Sequence, residues 1–182
     1  MRPRHPRTPA LPRQWLMTDE RLGDALPAIV AALPRGSGIV FRHYATPARE
    51  RRALFAQLRR IARARGHVLL VAGPWLRGAD GVHGRRVRGG GRIATRPVHS
   101  RRELIAAERA GVDAVFASPA FATRSHPGGD VLGPVGFGLL VRDHRVPVIA
   151  LGGMNAARAR RLAAFGIAGW AAIDAWTVSP GG

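Results

Sequence analysis

Residues 146–173, VPVIALGGMNAARARRLAAFGIAGWAAI, contain one complete strand–helix repeat followed by the next strand. The apolar run from Val146 to Leu151 predicts a strand, and Asn155 supplies the cap of a helix that Gly166 ends. The following run, Ile167–Ile173, is again apolar. Both runs are apolar throughout rather than alternating, which favours parallel strands buried on both faces.

The same order of helix, glycine and apolar strand occurs at two earlier places in the chain. Gly66 ends the predicted helix Pro47–Arg65, and Gly111 ends a helix that Ser100 and Glu103 open with a capping box. Each glycine is followed within two residues by an apolar run of strand length. A glycine at the end of the helix suits the short αβ loop of a repeating β/α unit.

Eight strands are predicted, near residues 15, 39, 68, 80, 93, 114, 148 and 170. They indicate an α/β protein, a small (β/α)8 TIM barrel over residues 14–182. A doubly wound open sheet is the alternative, but no G-x-G-x-x-G or Walker A motif follows the first strand. Because nine residues follow Ile173, we expect trimmed helices, for which assembly into a homo-oligomer could compensate. Four prolines within residues 1–13 predict a disordered basic arm.

The composition limits the function classes. The chain has 182 residues and a formal net charge of +18, and all 29 basic residues are arginine. Arginine is spread throughout the chain and tyrosine occurs once, so nucleic-acid binding is the last-ranked alternative. The absence of cysteine excludes disulfides, thiolate metal sites and a thiol nucleophile. No apolar run approaches the ~18 residues of a membrane span and no secretory signal is found, so we expect a cytoplasmic protein without a membrane partner.

The loops that follow the predicted strands should carry the functional groups, because barrel sites lie at the carboxyl ends of the strands. After the seventh strand, Gly152 and Gly153 precede the helix cap Asn155, so their backbone N–H groups could approach an anion. A tight turn with an asparagine cap explains the same residues. After the sixth strand, a long loop from Ser118 to Asp130 contains hydroxyl groups and glycines, and long loops in compact domains are often functional.

The chain resembles the thiamine phosphate synthase family, which includes the related thiazole tautomerases. The matching stretches are GVDAVFASPAFATRS (Gly111–Ser125), GPVGFGLL (Gly133–Leu140), VPVIALGGMN (Val146–Asn155) and FGIAGWAAIDA (Phe165–Ala175), preceded in order by LMTDER (Leu16–Arg21), GADGVHG (Gly78–Gly84) and VHS (Val98–Ser100). The resemblance implies a (β/α)8 barrel of thiamine biosynthesis, a transferase that joins a pyrimidine methyl pyrophosphate to a thiazole phosphate and releases pyrophosphate. Catalysis of such a transfer is mainly stabilisation of the departing anion.

The resemblance also implies Mg²⁺ held by carboxylates, but the corresponding positions here lack the acids. Ala72-Gly73 stands where the family has Asn-Asp, and residues 84–88 contain no acid after the fourth strand. Asp174 stands where the family has a serine in its last phosphate loop, and Pro119 where the tautomerases have a catalytic histidine. We therefore assign no catalytic or metal-binding residue, and no cofactor is assured.

The family's Gln-x-Arg-x-Lys motif at the second strand is VFRHY here, in which only the arginine persists. The sixth loop keeps two hydroxyl groups but not the family's lysine. We predict contacts to substrate or phosphate from Arg42, Thr123, Ser125, Gly152 and Gly153, with His83, Arg86, Arg124 and His126 as secondary candidates.

Two readings of the altered site remain open. Guanidinium groups of the arginine-rich segment 85–92 could replace the metal, because arginine forks match phosphate oxygens. A solvated loop enriched in arginine by composition explains the same segment. The function hypotheses are accordingly a thiamine phosphate synthase-type transferase, and a catalytically altered or inactive barrel that binds a phosphorylated small molecule.

Overall fold

The computed structural model of the protein describes residues 11–84, 92–123 and 131–176. Eight parallel strands pair in sequence order, and β1 pairs with β8, so the sheet closes into a barrel. The strands are β1 (Gln14–Met17), β2 (Gly38–Phe41), β3 (Val68–Ala72), β4 (Gly81–His83), β5 (Ile93–Val98), β6 (Ala114–Ala117), β7 (Val148–Leu151) and β8 (Gly169–Ala172). The predicted small (β/α)8 barrel is confirmed.

Most of the α-helices described around the barrel are short. They are α1 (Leu26–Ala32), α2 (Ala48–Arg65), α3 (Arg101–Arg109), α4 (Gly133–Val141) and α5 (Ala156–Leu162), with 3₁₀ turns at Glu20–Ala25, Ala163–Phe165 and Asp174–Trp176. Helix α2 has 18 residues and each of the other α-helices has seven to nine. These lengths agree with the prediction of trimmed helices. None of the helices in the described ranges is both long and apolar enough to cross a membrane.

The helix ends follow the residues that predict them. The Ser100 hydroxyl accepts a hydrogen bond from the Glu103 N–H, and the Asn155 side chain accepts one from the Arg158 N–H. Gly66 and Gly166 both adopt the left-handed conformation at helix ends, with φ of 69° and 70°. Local caps and stops therefore set the lengths of the connections between strands.

The core has an inner and an outer layer because strand residues alternate in direction. The outer clusters include helix residues such as Leu58, and they lie between the strands and the helices. The inner cluster contains Trp15, Met17, Phe116 and residues from β2, β3, β5, β7 and β8, and it lies inside the barrel. A Cβ at Gly38 would lie 2.1 Å from the Trp15 ring, so this position requires glycine. The tryptophan thus determines which residue the neighbouring strand can carry.

Candidate functional site

A cavity of about 480 Å³ opens at the face where the carboxyl ends of the strands meet. It is lined by five of the predicted site residues, namely Arg42, His83, Thr123, Gly152 and Gly153. The other predicted residues, Ser125, Arg86, Arg124 and His126, lie outside the described residues. Arg92, the described end of the arginine-rich segment, is not among the lining residues, and its guanidinium lies 4.5 Å from the centre of the Trp75 ring.

Arg42 lies at the end of β2, with its side chain 25% exposed. Its Nε donates to the carbonyl of Thr18 at 2.7 Å, and its Nη2 donates to Asp19 Oδ2 at 3.1 Å. Burial lowers the pKa of Arg42, and the neighbouring Asp19 opposes this shift. Within the described residues, Nη1 has no hydrogen-bond partner. One face of a positioned guanidinium is therefore available to a ligand in the cavity.

Arg42 belongs to a chain of alternating charges along one side of the rim. Asp19 also lies 4.0 Å from Arg21 Nε, and Arg21 Nη2 in turn contacts Asp174 Oδ1 at 2.7 Å. This series of ion pairs, Arg42–Asp19–Arg21–Asp174, connects the ends of β2, β1 and β8. The sequence prediction did not identify Asp19 or Arg21, although their position directly after the first strand in LMTDER was a signal for them.

His83 lies at the end of β4 on the cavity wall and is buried. Its Nδ1 lies 3.0 Å from Thr95 Oγ1, and its ring meets Phe116 edge to face at 4.8 Å. Burial, with a smaller contribution from the charge of Arg42, lowers the pKa of His83 to about 4. The side chain is therefore neutral at pH 7 and presents an uncharged imidazole to the cavity.

The turn after β7 packs directly on the loop after β6. Gly152 and Gly153 have φ of 95° and 58°. A Cβ at Gly152 would lie 2.9 Å from Pro119 Cα, and one at Gly153 would lie 2.2 Å from the Ala122 carbonyl oxygen. The Phe121 N–H donates to the Gly152 carbonyl at 3.1 Å. Conformation and close packing both require the two glycines, and anion binding by their N–H groups stays a prediction.

The end of β3, where the resemblance implies a metal carboxylate, carries a different arrangement. A Cβ at Gly73 would lie 3.4 Å from the Tyr44 ring and 3.9 Å from Arg51 Nη2. The buried Arg51 donates to the carbonyls of Ala72, Pro74 and His43 at 2.8, 3.2 and 3.1 Å. A guanidinium therefore binds the carbonyl oxygens at the ends of β2 and β3. The sequence prediction did not identify Arg51, which is one of many arginines on α2.

The residues that the structure describes do not fit a magnesium ion. No group of three or more histidine and carboxylate side chains in the described ranges is arranged to hold a metal. The carboxylates at the rim, Asp19 and Asp174, are paired with Arg42 and Arg21. A hard cation needs several oxygen ligands, and these carboxylates are already bound to guanidinium groups.

A closed parallel barrel with a cavity at the carboxyl ends of its strands defines a TIM-barrel protein. The family model for thiamine monophosphate synthase matches residues 15–176, so the chain belongs to this family.

Individual relatives agree with this assignment. A thiamine-phosphate synthase from Pyrococcus furiosus is 35% identical over 78 residues, a match that spans 43% of this chain and only 38% of that protein. The structure of a thiamine phosphate pyrophosphorylase from Pyrococcus furiosus is 26% identical, with a TM-score of 0.76, over 91% of this chain and 87% of that one. A thiamine phosphate pyrophosphorylase from Bacteroides thetaiotaomicron shares the fold at 15% identity, with a TM-score of 0.59 over 90% of this chain and 83% of that one.

Proposed function

We propose that this protein acts in thiamine biosynthesis as a thiamine phosphate synthase-type transferase that binds pyrimidine and thiazole precursors in the cavity at the barrel mouth. The observation that carries the proposal is the convergence of Arg42, His83, Thr123 and the Gly152–Gly153 turn on one cavity in a chain of this family. These residues are far apart in the sequence and come from different β/α loops, as in barrel enzymes generally.

The lining of the cavity suits the proposed reaction. Apolar side chains, including Met17, Leu151, Met154 and Ile173, can accept heteroaromatic rings. When the carbon–oxygen bond of a pyrimidine methyl pyrophosphate breaks, pyrophosphate leaves with the bonding electron pair. The lone pair of the thiazole nitrogen then forms the new carbon–nitrogen bond, and the thiazole ring becomes a cationic thiazolium. The Nη1 of Arg42 can stabilise the departing anion.

A second candidate function is a catalytically altered member that binds a phosphorylated precursor without transferring it. Two observations favour it. The described residues hold no acidic cluster for a metal, and Tyr44 and Arg51 surround Gly73 where the resemblance implies a carboxylate.

Incubation of the purified protein with a pyrimidine methyl pyrophosphate and either the thiazole alcohol or its phosphate separates these functions. Chromatography would measure thiamine or thiamine phosphate, in Mg²⁺ and in EDTA. The transferase proposal expects a coupled product that persists in EDTA. R42Q should reduce product formation, whereas R52Q, at an exposed position of α2, serves as the matched control. Binding of a precursor without product supports the second candidate, and absence of both binding and product contradicts both.

A further inference from the structure

The cavity wall opposite Arg42 has a different chemistry from the rim that carries Arg42. Arg42 follows β2 and Ser118 follows β6, four strands away in the ring of eight, so they lie on opposite sides of the cavity. The described lining residues of β4, β5, β6 and the loops after them contain no arginine, aspartate or glutamate; they are His83, Pro97, His99, Ser118, Pro119 and Thr123. This wall suits an uncharged part of a ligand, because a buried charge needs a partner.

Two polar side chains of this wall contact each other. His99 Nδ1 lies 3.1 Å from the carbonyl oxygen of Ser118 and 3.2 Å from Ser118 Oγ. A carbonyl oxygen accepts hydrogen bonds and cannot donate them, so the first contact assigns a hydrogen to Nδ1. The Nδ1–H group then donates to the carbonyl and shares its hydrogen with the hydroxyl oxygen.

This assignment leaves the hydroxyl hydrogen of Ser118 without a role inside the protein. The Ser118 N–H donates to the Val98 carbonyl at 3.1 Å. The contact with His99 is the one hydrogen bond of the Ser118 hydroxyl among the described residues. Ser118 is buried and lines the cavity. A buried donor without an acceptor costs free energy, and an acceptor atom on a ligand in the cavity would remove this cost.

We propose that the Ser118 hydroxyl recognises the pyrimidine precursor by donating a hydrogen bond to a nitrogen of its ring, and that His99 positions this hydroxyl. The inference rests on the proposed function and adds to it a residue that distinguishes the ring. A ring nitrogen has a lone pair but no charge, so it suits a wall without charged partners. The pyrophosphate of the same ligand then extends across the cavity to Arg42.

Calorimetric titration of the full chain, in EDTA and in Mg²⁺, tests the role of Ser118. The ligands are the pyrimidine methyl pyrophosphate, two analogues that each have one ring nitrogen replaced by C–H, and inorganic pyrophosphate. We expect the wild-type protein to bind one analogue about tenfold more weakly than the parent compound. S118A should bind the parent about tenfold more weakly than wild type, should not distinguish that analogue from the parent, and should bind inorganic pyrophosphate unchanged.

Variants of His99 test its positioning role. H99A should reduce the preference for the parent compound over the sensitive analogue, because the hydroxyl loses the group that orients it. H99N should restore the preference, since an asparagine N–H can donate to the Ser118 carbonyl in place of Nδ1. S37A is the matched control: Ser37 is also buried, its hydroxyl donates to the Pro34 carbonyl at 2.6 Å, and it does not line the cavity.

The outcomes separate the inference from the function on which it rests. Equal binding of the parent and both analogues to wild type would overturn the inference and leave the proposed function standing. A preference that persists in S118A, or an equal loss of inorganic pyrophosphate binding, would also overturn it. Failure of wild type to bind the pyrimidine compound in either buffer would overturn both. Thermal unfolding identifies a poorly folded S118A, and the H99A and H99N pair then decides.

Discussion

The two sides of the cavity rim use different interactions. On the β6–β7 side, the Gly152–Gly153 turn packs against backbone atoms of Pro119 and Ala122, at distances that leave no space for a side chain. On the β1–β2–β8 side, the rim consists of partly exposed arginine and aspartate side chains in alternating ion pairs. Substitutions on the first side should therefore affect folding, whereas those on the second should mainly affect the choice of ligand.

The largest expected effect is on the glycine side. G153A places a Cβ 2.2 Å from the Ala122 carbonyl oxygen in a left-handed conformation, so we expect a loss of about 4 kcal/mol in the free energy of unfolding. G36A is the matched control, because Gly36 has a φ of 76° but open space around its Cβ, and it should cost about 1 kcal/mol. Urea unfolding measures both. Equal losses would show that packing does not constrain this turn.

The next largest effect is on stability, and it distinguishes the buried Arg51 from the exposed Arg52. R51M removes the donor to three carbonyls at the ends of β2 and β3, and we expect a loss of about 3 kcal/mol in unfolding free energy. R52M, at the exposed neighbouring position, should change stability by less than about 0.5 kcal/mol. Similar stabilities of the two variants in urea would contradict the structural role of Arg51.

The buried His83 in the cavity wall predicts that the free energy of unfolding depends on pH. The pKa of His83 is lowered to about 4 in the folded protein, from the 6.5 of an unfolded chain. Below pH 6.5 the unfolded state therefore binds a proton that the folded state does not, so stability is complete above pH 6.5 and falls towards pH 4. The loss attributable to His83 should be about 2 kcal/mol at pH 5.

H83N isolates this contribution, because burial also lowers the pKa of His43 and of His67. The variant should lose the part of the pH slope that His83 supplies and keep the part that comes from the other two histidines. Urea unfolding at pH 7, 6 and 5 measures the difference. Parallel slopes for wild type and H83N would show that His83 is not buried in its neutral form.

The smallest effect concerns the charged side. R42Q removes a guanidinium that lines the cavity and whose Nη1 has no partner in the described ranges, and we expect about a tenfold loss in affinity for inorganic pyrophosphate. Its effect on stability should be smaller than that of R51M, because Arg42 makes fewer hydrogen bonds and is more exposed. Calorimetry in EDTA measures the affinity, with R52Q as control. An unchanged affinity would remove Arg42 from the ligand site.

The sequence predicts the barrel because its signals are local. Apolar strands and glycine helix ends such as Gly66 and Gly166 recur in register with the β/α repeat, and each depends on a few neighbouring residues. Helix α4 was not predicted from periodicity, because Gly133–Val141 is apolar on all sides, contains three glycines and has no side-chain cap. Its helical state depends on packing of Phe137 and Leu140 in the outer core.

The arrangement of the candidate site is harder to predict from the sequence, because its ion pairs and hydrogen bonds join segments that are distant along the chain. The convergence of Arg42, His83 and Gly152 follows from strand order alone, since every loop after a strand opens at the same face. The pairing of Arg21 with Asp174 and the burial of Arg51 depend on side-chain geometry between elements. In a chain with 29 arginines, composition does not distinguish a buried arginine from an exposed one.

A crystal structure of the full chain grown with pyrophosphate in EDTA tests the central claim most directly. The account predicts the anion inside the cavity at the barrel mouth, bound by the Arg42 guanidinium, without a metal ion. Pyrophosphate bound outside the cavity, or bound at the mouth only when Mg²⁺ is supplied and held by carboxylates, would contradict it.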